Sequence, residues 1–267
     1  MKYLYPEGKK KALTFSYDDG QIHDIRLTEI LRSHGLKGTF NLNSGTLANE
    51  DNSFFVNKNK LDEIYAGHEI AVHGVEHKNL GNCTDTEIIT EIVNDRIALE
   101  KLTGAPVQGM AYAYGAYNEH IMSLLKACGI KYSRTVGENP EFTIPGDFLE
   151  WNSTCHHGHE LMKKADEFLA LPDWKELPLM YVWGHSFEFA RNDNWNVIEE
   201  FAEKMQHIDE IWYATNGEIY DYMQAIRRLE FSADGKMVKN PSMTTVWYQG
   251  ASQKPECIQP GELKVWA

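Results

Sequence analysis

Lys11–Gly20 reads KALTFSYDDG, in which apolar and polar residues alternate until the segment ends in two carboxylates and a glycine. Alternation with a period of two is typical of a β-strand. Residues 22–34 then carry apolar side chains at helical spacing and end at Gly35, and strand character resumes over residues 37–43. This order predicts a strand–helix unit followed by a second, parallel strand.

The same alternation of strand and helix patterns continues through most of the chain. Its clearest helix is predicted over residues 84–103, where Thr84 and Glu87 form a capping box and Gly104 ends the helix. Further strands are predicted at 69–73, 107–114, 130–136, 148–154, 179–185 and 211–215. Seven or eight such units indicate an α/β fold, a deformed (β/α)7–8 barrel that is closed or nearly closed. A doubly wound open sheet is the alternative.

After Glu230 the pattern changes to short β-like runs separated by turns. We therefore predict two domains, a catalytic barrel over residues 1–229 and a small C-terminal β appendage over residues 230–267 that packs on the barrel. The appendage contains no histidine, and we expect it to contribute no catalytic group.

Composition narrows the classes of function. The 267 residues include 26 Lys and Arg against 39 Asp and Glu, a net charge of −13, and an acidic chain repels nucleic-acid phosphates. No apolar run approaches the ~20 residues of a membrane-spanning helix, and the N-terminal sequence lacks the apolar core of a signal peptide. We therefore expect a cytoplasmic protein with no nucleic-acid or membrane partner, whose 4 scattered cysteines are reduced thiols.

Barrel enzymes carry their catalytic groups at the C-terminal ends of the strands, so the ends of the predicted strands are candidate catalytic positions. Asp18 and Asp19 end the first strand, although an Asp-Gly pair after a strand is also ordinary turn chemistry. His73 and His77 follow the third strand at a spacing found in metal sites, although surface histidines share this spacing. A His–His–Asp set suits Zn²⁺ with an open position for water, and Co²⁺, Ni²⁺ or Fe²⁺ can also be accommodated.

Two later strand ends and two tryptophans supply further candidates. Tyr114 and Gly115 end the fourth strand, and Gly115 permits a turn whose backbone amides face the site. His185 ends a later strand and is a candidate acid, although a single histidine at a strand end is more often structural. Trp151 and Trp183 either stack on the ring of a ligand or fill the barrel rim; for Trp183 the apolar strand favours packing.

A histidine-rich segment contains His156, His157 and His159 just before a predicted helix. We interpret these residues as exposed histidines between a loop and a helix N-terminus, in preference to a second metal site. Glu188, just after His185, is interpreted as a carboxylate that is either solvated or in contact with a site residue.

In order and spacing, these motifs resemble those of the polysaccharide deacetylases of carbohydrate esterase family four over about residues 11–190. The family motifs are Thr-Phe-Asp-Asp-Gly, His-x-x-x-His, Arg-x-Pro-Tyr-Gly, a motif with an aromatic wall, and a last motif with the catalytic histidine. The corresponding residues here are Ser16–Gly20, His73–His77, Tyr114–Gly115, Trp151 and His185.

The resemblance implies a metal-dependent hydrolase that removes acetyl groups from an N- or O-acetylated sugar or oligosaccharide by means of metal-activated water. In that case Asp19, His73 and His77 hold one divalent metal, most simply Zn²⁺. The other implied roles are general base for Asp18, oxyanion stabilisation by the Tyr114 backbone N–H, leaving-group acid for His185, and substrate contact for Trp151 and Tyr114.

The sequence departs from the family pattern where an arginine and an acidic residue usually hold the base. Ala111 and Ala113 stand at the Arg and Pro positions of the third motif, and Glu150 stands at the acidic position of the fourth. Arg134, on the neighbouring predicted strand, is a candidate replacement. Two alternatives therefore stay open: an amidohydrolase that acts on a non-sugar amide or cyclic imide, and a non-catalytic glycan-binding relative.

Overall fold

The computed structural model describes residues 1–266; Ala267, the last residue of the predicted appendage, lies outside the described residues. The strands are β1 Lys2–Leu4, β2 Lys11–Asp18, β3 Gly38–Leu42, β4 Glu69–Val72, β5 Gly109–Ala111, β6 Tyr132–Glu138, β7 Trp151–Ser153, β8 Cys155–His156, β9 Leu179–His185, β10 Ile211–Tyr213, β11 Glu230–Phe231, β12 Met237–Lys239, β13 Val246–Gln249, β14 Pro255–Ile258 and β15 Leu263–Val265. The helices are α1 Asp24–Ser33, α2 Leu61–Ile64, α3 Asp85–Thr103, α4 Glu119–Ala127, α5 Leu161–Leu169, α6 Ser186–Arg191, α7 Asn196–Met205 and α8 Asn216–Arg227.

Within residues 1–266, nine parallel strands form the central sheet, and helices surround it. The order is β7-β6-β5-β4-β3-β2-β9-β8, and β10 pairs with the first residues of β2. Only Thr154 separates β7 from β8 along the chain, so consecutive segments occupy the two ends of this order. The predicted α/β class and deformed-barrel arrangement are confirmed, with strand pairings that form an open series rather than a closed ring.

Strand β2 lies at the centre of the sheet, and all 8 of its residues are buried, as expected for a parallel strand covered on both faces. One face carries Phe15 and Tyr17, which pack into the main hydrophobic core. The other face carries polar residues and ends at Asp18, whose register partners are Asn41 on β3 and His185 on β9. A buried polar face therefore leads directly to the candidate site.

The predicted capping box is present at the start of α3. The Thr84 side chain accepts a hydrogen bond from the Glu87 backbone, the Glu87 carboxylate accepts from Thr84, and Gly104 ends the helix with a φ of 68°. In two of the predicted strands, part of the segment forms a 3-10 turn instead. Residues 113–115 form a 3-10 turn after β5, and Phe148–Glu150 form another before β7, where the Asp147 side chain accepts a hydrogen bond from the Leu149 backbone.

The peripheral strands form two antiparallel sheets, β1-β13-β14 and β11-β12-β15. Strand β1 belongs to the predicted barrel segment by sequence, yet it pairs with β13. Tyr222 of α8 reinforces this pairing, because its hydroxyl donates to the Leu4 carbonyl and accepts from the Trp247 backbone. The boundary at residue 229 stays a prediction. Within the described residues, no helix combines the length and apolar character needed to cross a membrane.

Candidate active site

The two carboxylates at the end of β2 occupy different positions because the backbone turns between them. Asp18 is the last strand residue, and its side chain is 3% exposed. Asp19 has a φ of 82°, in the left-handed region that residues other than glycine rarely adopt. Its carboxylate Oδ1 lies 3.6 Å from Nε2 of His73 and 3.6 Å from Nε2 of His77.

The histidine pair follows β4. His73 comes directly after the strand and is buried, whereas His77 lies in the loop, where a φ of 56° turns the chain back towards His73. Asp19, His73 and His77, which we call the Asp19 cluster, have ligand atoms within 4.8 Å of one another. The structure therefore brings the three predicted ligands together.

The protonation of His73 fits a metal ligand. Its Nδ1 lies 2.8 Å from the Ala111 carbonyl oxygen, which only accepts hydrogen bonds, so Nδ1 carries the hydrogen and the Nε2 lone pair faces Asp19. Zinc bonds of about 2.0–2.2 Å place tetrahedral ligand atoms about 3.3–3.6 Å apart. The 3.6 Å separations from Asp19 Oδ1 match that range, and the residues present fit a divalent metal such as Zn²⁺.

Asp18 lies beside this cluster but is held by other groups. The Arg134 guanidinium donates to Oδ2, and the Asn41 amide donates to Oδ1 over 2.8 Å. Oδ2 also faces Nε2 of His73 at 3.8 Å. Burial alone would raise the pKa of Asp18, but the positive charge of Arg134, with His73 and His185, outweighs burial and holds this pKa below its ordinary value. The carboxylate is therefore ionised, as a general base requires.

Arg134, the candidate replacement for the arginine that is missing from the third motif, contacts Asp18. Arg134 on β6 is the register partner of Ala111 on β5. The guanidinium therefore comes from the strand next to β5, where the family pattern places an arginine. Its guanidinium also lies 4.2 Å from the ring centroid of Trp183. Glu150 takes no part in this contact, because its carboxylate accepts a hydrogen bond from the Tyr117 hydroxyl. Arg134 thus pairs with Asp18 in this structure, whereas the Glu150 carboxylate is hydrogen-bonded to Tyr117.

His185 completes the polar group at the strand ends. As the register partner of Asp18, it places Nε2 4.0 Å from Asp18 Oδ2, while Nδ1 lies 3.6 Å from Oε2 of Glu188. Burial would lower the pKa of His185, but the Glu188, Asp18 and Asp19 carboxylates outweigh it and raise this pKa above its ordinary value. The imidazolium form therefore persists to higher pH.

Tyr114 and Trp151, the two predicted substrate contacts, differ sharply in exposure. The Tyr114 side chain is 67% exposed, and its ring contacts His77 with a centroid distance of 4.6 Å. Trp151 is 1% exposed and packs among Phe148 and Tyr181. The predicted substrate contact of Trp151 is wrong in this structure, because a ring enclosed by aromatic neighbours presents no face to a sugar.

Residues 5–133 match a protein-family model described as polysaccharide deacetylase. This match covers somewhat less than half of the chain, which is similar to polysaccharide deacetylases over these residues. The matched region contains the Asp19 cluster, Asp18 and Tyr114, and it ends just before Arg134. Members of this family are hydrolases that deacetylate carbohydrates. No curated protein matches the chain.

Solved structures support the same fold. A putative polysaccharide deacetylase from Mycobacterium smegmatis is 18% identical with a TM-score of 0.61, and the match covers 85% of this chain and 94% of that chain. The T48 deacetylase with substrate is 17% identical with a TM-score of 0.55 and coverages of 79% and 91%. A family 4 carbohydrate esterase from Streptomyces lividans in complex with acetate is 14% identical with a TM-score of 0.51 and coverages of 74% and 88%. At these identities the similarity is one of fold.

A second group of ligand-type residues lies beside the candidate active site. His156, His157 and Glu188, which we call the Glu188 cluster, also have ligand atoms within 4.8 Å of one another. Oε2 of Glu188 lies 2.9 Å from Nε2 of His156 and 3.3 Å from Nε2 of His157. The expectation of exposed histidines is wrong for His157, which is 3% exposed, and holds for His159.

Hydrogen bonding distinguishes the Glu188 cluster from a metal site. The Gly158 backbone N–H donates to Nδ1 of His156 over 3.1 Å, so in the neutral ring Nε2 carries the hydrogen and donates to Glu188. Burial lowers the pKa of His157 to about 3, which keeps its ring neutral. Burial would raise the pKa of Glu188, but His156 and His185 lower it below its ordinary value. The cluster is an ionised carboxylate surrounded by imidazole rings.

Several residues that shape the candidate active site were missed by sequence reasoning. Asn41 donates to Asp18, and the Asn43 side chain donates to the His73 carbonyl over 2.8 Å and the Gly74 carbonyl over 2.9 Å. Asp95 of α3 accepts backbone hydrogen bonds from the same loop. The sequence did contain an indication for Asp95, because this residue interrupts the apolar stripe of its helix. An acidic side chain is rarely buried there without a partner.

Proposed function

We propose that this chain is a metal-dependent deacetylase that hydrolyses the acetyl group of an N- or O-acetylated sugar or oligosaccharide. The observation that carries the proposal is the Asp19 cluster with an ionised carboxylate, Asp18, directly beside it. The hydrogen bond from His73 Nδ1 to the Ala111 carbonyl supports ligation through Nε2.

The ligands of the metal are Asp19, His73 and His77. A divalent metal bound there supplies a Lewis acid and lowers the pKa of water, which makes a nucleophile available near neutral pH. Asp18 accepts the proton of the attacking water at Oδ2, because this oxygen faces Nε2 of His73 in the Asp19 cluster. Arg134 holds this carboxylate in place and ionised, which orients the base before the substrate arrives.

His185 delivers a proton to the departing group. An amide releases its amine only when the nitrogen is protonated, and an imidazolium titrates near the working pH. Nε2 of His185 faces the Asp18 side, and the raised pKa keeps the proton on the ring. We assign the Tyr114 backbone N–H to the oxyanion, and the exposed Tyr114 ring is the aromatic surface available to a sugar beside His77.

Acetate release tests this proposal. Purified protein, stripped of metal and then reloaded with Zn²⁺, is offered acetylated chitooligosaccharides, acetylated xylan and small amides, with Asp18→Asn as the matched impaired variant. We expect acetate from an acetylated carbohydrate only with metal bound, and about 10²–10⁴-fold more slowly from Asp18→Asn than from the wild-type chain. Hydrolysis of the small amides alone would instead favour an amidohydrolase. No turnover of any substrate by metal-loaded protein would favour a non-catalytic glycan-binding role.

A further inference from the structure

We propose that Glu91 and Asp95 of α3 are positioning residues that hold the loop of His73 and His77 in its metal-binding shape. The inference rests on the proposed metal-dependent function, and it concerns side chains that touch neither the metal nor the substrate. Both carboxylates lie on the inner face of α3, four residues apart and therefore one above the other.

Asp95 forms hydrogen bonds with two loops of the site, the one after β3 and the one after β4. Its Oδ1 accepts a hydrogen bond of 2.8 Å from the Ser44 backbone, in the loop after β3. Its Oδ2 accepts hydrogen bonds of 3.1 Å from the His73 backbone and 3.0 Å from the Gly74 backbone, in the loop after β4. Asp95 is fully buried, so both of its oxygens are committed to backbone N–H groups. The backbone of one metal ligand is thereby fixed at the end of β4.

Glu91 holds the remainder of the same loop. Its Oε1 accepts hydrogen bonds of 2.7 Å from the Glu76 backbone and 3.3 Å from the Lys78 backbone, on either side of His77. Gly74 allows this close approach: its φ is 87°, and a Cβ there would lie 2.7 Å from Glu91 Oε1. The loop therefore wraps around one carboxylate oxygen, and this path turns His77 back towards His73.

The energetics favour a role in metal affinity. Hydrogen bonds to an ionised carboxylate are about twice as strong as neutral ones, and a buried N–H left without a partner destabilises the conformation that buries it. Without these acceptors the loop would lose its fixed path, and the two histidines would no longer be preorganised. Loss of groups that orient metal ligands typically costs about 10–100-fold in affinity.

Amide substitutions separate the two carboxylates. Glu91→Gln keeps an Oε1 that can accept both loop hydrogen bonds, so we expect metal affinity within a few-fold of wild type, whereas Glu91→Ala should lose about 10–100-fold. Asp95→Asn has only one acceptor oxygen, so its NH₂ group must face a backbone N–H of Ser44 or of the histidine loop. We expect Asp95→Asn to lose about 10–100-fold despite its conservative shape.

The test measures Zn²⁺ dissociation constants by competition with a chromophoric chelator and records the visible spectrum of Co²⁺-loaded protein. The matched control is Glu100→Gln on the same helix, where the carboxylate accepts the Val107 backbone N–H away from the site; it should bind metal as wild type does. Thermal melts confirm that each variant is folded, and Glu91→Ala serves if Asp95→Asn does not fold.

The outcomes separate this inference from the proposed function. Folded Asp95→Asn or Glu91→Ala with wild-type Zn²⁺ affinity and an unchanged Co²⁺ spectrum would overturn the positioning role while leaving the metal site intact. Equal losses in Glu91→Gln and Glu91→Ala would also overturn it, because the argument depends on acceptor geometry. Absence of metal binding by the wild-type chain would overturn the proposed function and this inference together.

Discussion

The Asp19 cluster and the Glu188 cluster contain the same kinds of side chain in the same proportion, two histidines and one carboxylate, with ligand atoms within 4.8 Å in both. They differ in what the other ring nitrogen does. His73 donates from Nδ1 to a carbonyl and leaves Nε2 free, whereas His156 accepts at Nδ1 from a backbone N–H and must carry its hydrogen on Nε2. Proximity of ligand-type residues is therefore common to both clusters, and the tautomer set by the surrounding backbone is what distinguishes His73 from His156.

The assignment of metal binding to one of the two clusters is tested most directly by removing a histidine from each. His77→Ala should abolish stoichiometric metal binding and activity, because only two ligands of the Asp19 cluster would remain. His156→Ala, the matched control, should retain one metal per chain. Metal content after dialysis and acetate release measure both effects. Stoichiometric metal in a variant that lacks both His73 and His77, or its loss in His156→Ala, would reverse our assignment of the two clusters.

The next largest effect is expected at Asp18, the proposed base beside the Asp19 cluster. Asp18→Asn should lower the rate by about 10²–10⁴-fold, the usual range for a general base, while metal stays bound. Arg134→Ala should leave a buried carboxylate unpaired, which costs about 3–5 kcal/mol of unfolding free energy. It should also raise the pKa of Asp18 and move the acidic limb of kcat/KM to higher pH. Denaturant unfolding and pH–rate profiles provide the measurements.

A second-site variant tests whether the arginine can act from either strand. Arg134→Ala combined with Ala111→Arg returns a guanidinium to the position usual in the family, one strand away from Arg134. We expect the acidic limb to move back towards that of the wild type. Arg191→Ala, a change at an exposed arginine, should leave both the limb and the unfolding free energy unchanged. If the acidic limb of kcat/KM is the same in Arg134→Ala as in the wild type, the pairing of Arg134 with Asp18 is contradicted.

The smallest effect is expected at the Glu188 cluster. The Glu188 carboxylate helps to raise the pKa of His185, and the proposed mechanism requires the protonated imidazole. Glu188→Gln removes a negative charge, so the pKa of His185 should fall and the basic limb of kcat/KM should move to lower pH, with little change on the plateau. Metal content should stay as in the wild type. A basic limb at the wild-type position would show that Glu188 does not influence the acid.

Local sequence patterns were sufficient for the elements that carry the site. The alternation in Lys11–Gly20 and the capping box of Thr84 were both confirmed, because strand period and cap chemistry depend on residues close along the chain. The family motifs also named the residues of the Asp19 cluster. The partners of those residues were harder to predict: Asn41 and Asp95 are ordinary polar residues whose contacts come from distant segments.

The sequence by itself determined the strand–helix order, the strand ends where the polar residues lie, and the identity of the three candidate ligands. Only the tertiary structure decided that Arg134 reaches Asp18 across the β5–β6 pair and that Trp151 is enclosed in the core. The tertiary structure alone also decided which histidines keep a free Nε2 lone pair. These facts depend on register and packing between segments far apart in sequence. A side chain's burial, charge and tautomer are set by the neighbours that folding brings to it.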